Sequence, residues 1–369
     1  MTRWLQALSR TFPSVGGHIA MLDGMRGIAV LLVIVSHASL IDIDIVPGLD
    51  MSGTGKVGVF LFFVLSAFLL VHQCLHLDAK GALDGRAWLR YALRRVLRIY
   101  PLYVVFLLFC LWAPVEHLFG PWALADVGNH LLVREGAWHT WSVAVELRWY
   151  LVLPFVVLAW VYLARRSFAA ATVAIAIAMA ARDWIDPPFD VDALRIYINI
   201  FLAGTWVALA HRELASRAAG QPAWLPTAAA VLGCAAFAVV LLLTPSIMGM
   251  LTGEVVPLNR WHRAHTMFAL LWAACLLGLL NAPAGVQRVF AWLPLRVLGV
   301  ISFSAYLWHG VVLANLGWLP FAPGHYGNAL LVLAAIVVSA AASFVVIERP
   351  FLRPRAATRA TRGEAEHPD

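Results

Sequence analysis

The chain has 369 residues, 62% hydrophobic and 13% charged, with a mean hydropathy of +0.80. Soluble domains run at roughly 45–50% apolar and about 25% charged residues, so the composition excludes an ordinary water-soluble globule and marks an integral membrane protein. The net charge of +7 has a sufficient source in cytoplasmic loops and does not call for a nucleic-acid partner.

Residues 1–20 read as a short amphipathic cytoplasmic lead-in with no cleavable signal peptide, 21–348 as one membrane domain, and 349–369 as a basic, disordered cytoplasmic tail. Ten candidate spans follow one another at 21–41, 57–76, 99–115, 143–164, 168–182, 194–211, 224–243, 265–281, 296–316 and 328–347. With both termini cytoplasmic, nineteen Lys and Arg fall in inner segments and six in outer ones, which supports an even number of crossings. The expected fold is an all-α membrane protein, about ten transmembrane helices in one bundle. Outer loops carry Asp42, Asp44, Asp50 and the segment RDWIDPPFDVD (182–192), and Trp112, Trp122, Trp138 and Trp141 suit an interfacial belt. The four cysteines lie in or beside apolar runs without CxxC spacing and read as packed thiols.

The first span, MLDGMRGIAVLLVIVSH (21–37), holds Arg26 and His37. Eleven residues at about 100° each make nearly three full turns, so the two side chains share a face ~16 Å apart along the axis. A cation in an apolar run is costly and points to function. The arginine suits an anion, and a neutral imidazole at mid-depth suits a general base. Without other information, a snorkelling arginine and a satisfied core histidine account for them as well.

RRVLRIYP (94–101) places Arg94, Arg95 and Arg98 within little more than one turn, at the expected cytoplasmic mouth of the third span, with Pro101 expected at the helix start. The cluster is either a topology signal or a phosphate clamp, since guanidinium forks match phosphate oxygens. WSVAVELRWY (141–150) opens the fourth span. Ser142, Glu146 and Tyr150 recur every four residues on one face, Ser142 doubling as a possible cap, while Arg148 points elsewhere and needs its own partner. In GVISFSAYLWH (299–309), Ser302, Tyr306 and His309 form a second polar stripe, which either glues helices or lines a pocket. Glu348 ends the tenth span beside Arg349, as a local pair or as an acid orienting Arg26 or the arginine cluster. GTGKVG (53–58) matches GxGxxG but lies in a loop with no preceding strand, and His72, Cys74 and His76 lack further ligands, so neither a dinucleotide site nor a metal is expected.

Five of these segments in this order resemble integral-membrane acyltransferase family three, the bacterial O-antigen and exopolysaccharide O-acetylase type. LDGMRGIAVLLVIVSH resembles its first helix, FFVLSAFLL (62–70) its Phe-x-x-Ser-Gly-Phe helix, and RRVLRIYPLY its Arg-x-x-Arg-Ile-x-Pro segment. WSVAVELRWY and SFSAYLWH resemble its Trp-Ser-Leu-x-x-Glu-x-x-Phe-Tyr and Ser-Tyr-Ser-x-Tyr-Leu-x-His segments. Ala67 stands in place of the usual glycine, and Arg148 with Trp149 in place of a polar residue and Phe.

The resemblance implies an O-acyltransferase of the bacterial inner membrane. It would move an acyl group, usually acetyl, from cytoplasmic acyl-CoA to a hydroxyl of a surface glycan or lipid-linked sugar, directly or through a separate periplasmic partner. On that expectation His37, Glu146 and Tyr150 are catalytic, Arg26, Arg94, Arg95 and Arg98 bind coenzyme A phosphates, Trp141, Ser142, Tyr306 and His309 orient the acceptor, and Glu348 orients the arginines. No permanently bound cofactor or metal is expected. The rival class, a transporter or flippase of lipid-linked sugars, predicts discontinuous helices matched in two halves. A structural subunit of an export complex leaves the Arg26–His37 register unexplained.

Overall fold

A computed structural model describes residues 19–113, 123–185, 193–257, 264–316 and 326–352. The described residues are helical, with no strand among them. The lead-in up to residue 18, Trp122, the segment 186–192 and the tail from 353 lie outside them. The helices are α1 (Ala20–Ser39), α2 (Gly55–Ala79), α3 (Gly85–Cys110), α4 (Leu124–Leu131), α5 (Trp141–Leu158), α6 (Phe168–Ile185), α7 (Leu194–Ser216), α8 (Leu225–Leu242), α9 (Pro245–Thr252), α10 (His265–Leu280), α11 (Ala284–Phe290), α12 (Leu293–Val300), α13 (Ser302–Ala314), α14 (Tyr326–Ser343) and α15 (Arg349–Leu352).

Each of the ten expected spans meets a helix, but not all are simple crossings. Among the described residues seven helices are long and apolar enough to span a bilayer: α1, α2, α5, α6, α7, α8 and α14 with their flanking turns. The eighth expected span, α10, is a 16-residue apolar helix. The ninth is not continuous, because α12 and α13 meet at Ile301 with a 79° bend. Broken spans are the mark expected of a transporter, but this one has no matching break among the described residues.

The third expected span is corrected most. α3 begins fourteen residues before position 99, where the Asp84 carboxylate accepts the Ala87 N–H at 2.7 Å, so Pro101 sits inside the helix instead of opening it. The polar residues from 85 to 98 are amphipathic helix, which hydropathy alone passes over. The arginine cluster therefore lies mid-helix.

Glycine sets the closest helix contact. α1 packs most extensively against α12. A Cβ on Gly24 would lie 1.6 Å from the carbonyl oxygen of Phe290, the last residue of α11, and one on Gly299 of α12 would lie 1.7 Å from that of Asp23. Only side-chain-free positions allow backbones this near, and in lipid such packing is the main force between helices. α1 is thereby held between α2 and the α12–α13 elbow, which brings Arg26 and His37 into the bundle.

The remaining core is aromatic. Phe63, Trp141, Tyr197 and Phe201 pack ring against ring between α2, α5 and α7, Phe63 stacked on Phe201 and edge-on to Trp141 and Tyr197. Trp112 is 88% exposed, as suits an interfacial belt, whereas Trp141 is 8% exposed and belongs to the core. Cys74, Cys110 and Cys275 are buried free thiols, while Cys234 is exposed.

Candidate functional site

Most of the polar side chains singled out from the sequence lie inside the bundle, in two layers. The first lies around Glu146. Its Oε1 accepts hydrogen bonds from Tyr150, one turn on, at 2.6 Å and from Ser66 of α2 at 2.7 Å. Tyr91 of α3 donates to the Tyr150 carbonyl at 3.0 Å, and the Arg95 guanidinium lies 5.6 Å above the Tyr150 ring. Arg98 donates to Glu348 Oε2 at 2.6 Å, and the Ser304 hydroxyl takes the other oxygen. Glu348 is 2% exposed, so its partner is Arg98 across the bundle and not its neighbour Arg349. A π-helical turn, Phe344–Glu348, ends α14 and carries this acid. Such turns shift side-chain direction and are common at functional sites.

Arg26 shares this layer. It lies within electrostatic range of Asp23, Glu146, Tyr150, Arg98 and Glu348, yet forms no ion pair among the described residues. Arg94 is exposed, one turn before Arg98 on α3 and within electrostatic range of Arg95. The layer thus gathers Arg26, Arg95 and Arg98 around two carboxylates, with one guanidinium neutralised by Glu348.

The second layer lies around His37, toward the Ser39 end of α1. His37 turns inward: its Nδ1 is 2.8 Å from His309 Nε2 on α13. His309 Nδ1 lies 2.6 Å from the Tyr306 carbonyl oxygen. The Tyr306 hydroxyl donates to the His139 carbonyl at 2.6 Å and is joined to the Ser142 hydroxyl at 2.7 Å. Ser142 therefore bridges α5 to α13 and does not cap its helix. Trp141 contributes to the wall beside it, its ring tilted by 31° against that of Tyr197 at 4.9 Å. Arg148 donates to the carbonyls of Val133 and Arg134, at 2.9 and 3.1 Å, outside both layers.

Several participants escaped the sequence reading. Ser66 lies in FFVLSAFLL, where nothing nearby in the sequence marks Glu146 as the acceptor for its hydroxyl. Trp138 was read as a belt residue, yet its ring lies 5.1 Å from His37 and 5.9 Å from His309. His139 is buried 5.0 Å from His309, ring to ring. Ser304 lay in the SFSAYLWH stripe but faces Glu348, on the side away from Ser302's spacing. Only helix order and packing identify these four.

Two surface grooves lie elsewhere. One of about 460 Å³ runs between α13 and α14, past Trp308 and Ser343, and the other borders Trp224 on α8. Neither touches His37 or the arginines.

Chemically, the arrangement offers an inward-facing imidazole pair, hydroxyls from Ser142 and Tyr306, and a partly neutralised arginine group, all on packed helices. BcsY of Komagataeibacter xylinus, named as a membrane-bound transacylase, is 27% identical over 89% of this chain and 81% of its own length. The peptidoglycan O-acetyltransferase OatA of Listeria monocytogenes is 23% identical over 90% of this chain, and YrhL of Bacillus subtilis, named for the same activity, is 24% identical over 90%. The chain spans 56% and 55% of the length of these last two. No solved structure matches it. An acyltransferase domain model covers residues 19–348, which takes in both polar layers, and the chain belongs to that family of multi-pass membrane acyltransferases, acyltransferase family three.

Proposed function

We propose that the protein is an O-acyltransferase of the bacterial cytoplasmic membrane, moving an acetyl group from cytoplasmic acetyl-CoA to a hydroxyl of a surface glycan or lipid-linked sugar. The observation that carries the reading is the pairing of an inward-facing His37 with a separate arginine layer on the same helix face. Arg26, Arg95 and Arg98, with Arg94 at the surface, would bind the donor phosphates, and Glu348 would hold Arg98 in its orientation. The pantetheine arm would then run along α1 toward His37. Glu146 and Tyr150 line that path, and Trp141, Ser142, Tyr306 and His309 surround the place where the acceptor is oriented.

In the transfer step the acceptor oxygen attacks the thioester carbonyl. A C–O bond forms, the C–S bond breaks, and the hydroxyl proton passes to His37 and from it to the departing thiolate. A positioned base contributes roughly 10²–10⁴ in rate. In this reading the domain 21–348 has cytoplasmic ends, and handover through a periplasmic partner is the variant that the longer O-acetyltransferase relatives suggest.

The test is release of free coenzyme A from acetyl-CoA by purified protein in lipid vesicles. Turnover by the intact chain and its near-abolition in His37→Ala are expected. A His37→Ala protein that inserts normally and turns over acetyl-CoA at the original rate removes His37 from the chemistry, and failure of the intact chain to bind acetyl-CoA removes the donor.

A further inference from the structure

The hydrogen-bond chain through the two histidines has a defined direction. The Tyr306 carbonyl can only accept, so His309 Nδ1, 2.6 Å away, carries the hydrogen. A neutral imidazole has one N–H, which leaves His309 Nε2 as a lone pair. That nitrogen is 2.8 Å from His37 Nδ1, so His37 is the donor between them. The rings are only 8° from parallel with centroids 5.0 Å apart, the arrangement of two imidazoles joined edge to edge by an in-plane hydrogen bond. In the neutral pair one assignment is consistent: hydrogen on His37 Nδ1, lone pair on His37 Nε2.

The surroundings keep the rings in place, and His37 is only partly buried. His37 Nε2 lies beside Gly55, the first residue of α2, where a Cβ would come within 3.8 Å. Across the rings, Trp138 takes φ = +41°, a costly conformation for a bulky residue that persists only when the surroundings impose it. Gly310, next to His309, makes room for the indole: a Cβ there would lie 2.3 Å from its ring.

We propose that His309 is a positioning residue, which holds His37 in the Nδ1–H tautomer and so makes Nε2 the proton acceptor. This rests on the acyl-transfer reading for its purpose, but not for its test. When Nε2 takes a proton, Nδ1–H still donates to His309, and the Trp138 ring adjoins the new cation, so the imidazolium forms without rearrangement. His309 then does through a neutral ring what a carboxylate does for the histidine of a serine hydrolase.

The experiment uses the full chain labelled with ¹⁵N-histidine in lipid vesicles without substrate, His37 being assigned by its loss in His37→Gln. The expected spectrum shows His37 protonated at Nδ1 and unprotonated at Nε2. His309→Phe keeps the ring volume and removes the acceptor. It is expected to shift His37 toward the Nε2–H tautomer and to lower kcat for coenzyme A release by roughly 10²–10⁴-fold with KM unchanged. His309→Gln, whose amide oxygen can accept from Nδ1–H, is expected to restore the tautomer and much of the turnover. A wild-type spectrum with the proton on His37 Nε2 overturns the proposal, as does a His309→Phe protein with unchanged tautomer and kcat. The expected spectrum in a protein that does not turn over acetyl-CoA would uphold the positioning role and strike the donor assignment instead.

Discussion

The Arg98–Glu348 pair allows stability and function to be separated. Glu348 Oε2 accepts from Arg98 at 2.6 Å and Oε1 accepts from Ser304, with side-chain exposures of 11% for Arg98 and 1% for Glu348. Glu348→Leu removes the carboxylate paired with a guanidinium that is nine-tenths buried. Removing one partner of a buried pair costs about 3–5 kcal/mol, whereas replacing both partners by apolar residues of similar size is often neutral or better. The single variant should therefore show a large fall in apparent Tm in detergent micelles, and Arg98→Met/Glu348→Leu should recover most of it. If Arg98 also holds donor phosphates, the recovered double variant should still bind acetyl-CoA poorly. A Glu348→Leu protein as stable as the parent, or a double variant no more stable than the single one, would refute the assignment of a buried, mutually dependent pair. Recovery of stability with an unchanged KM for acetyl-CoA would leave the pair structural and remove Arg98 from the donor site.

Two further outcomes test the packing. Gly299→Ala should sharply reduce recovery of folded, monodisperse protein, because the new Cβ would meet the Asp23 carbonyl oxygen at 1.7 Å and neither backbone can yield without parting α1 from α12. Normal recovery by size-exclusion chromatography would contradict that contact. Gly310→Ala should spare the fold more but displace the Trp138 indole, lowering kcat and altering tryptophan fluorescence together; unchanged values of both would show that the indole does not depend on that space.

Most of the chemistry-bearing residues were legible in the chain because helical spacing is a local property. The eleven-residue interval puts Arg26 and His37 on one face, and the four-residue intervals put Glu146 with Tyr150 whatever surrounds them. Membrane character and the all-helical class follow from composition, since a bilayer leaves the backbone few other ways to satisfy its polar groups. What spacing cannot supply is the partner on another helix. Ser66 with Glu146, Arg98 with Glu348 and His37 with His309 are separated by 80, 250 and 272 residues. Their meeting depends on how closely backbones approach, which Gly24 decides where α1 meets the end of α11 and Gly299 where it meets α12. The start of α3 and the elbow at Ile301 were likewise settled by the fold, because an amphipathic extension and a bend against α1 both break the uniform apolar run by which a span is recognised.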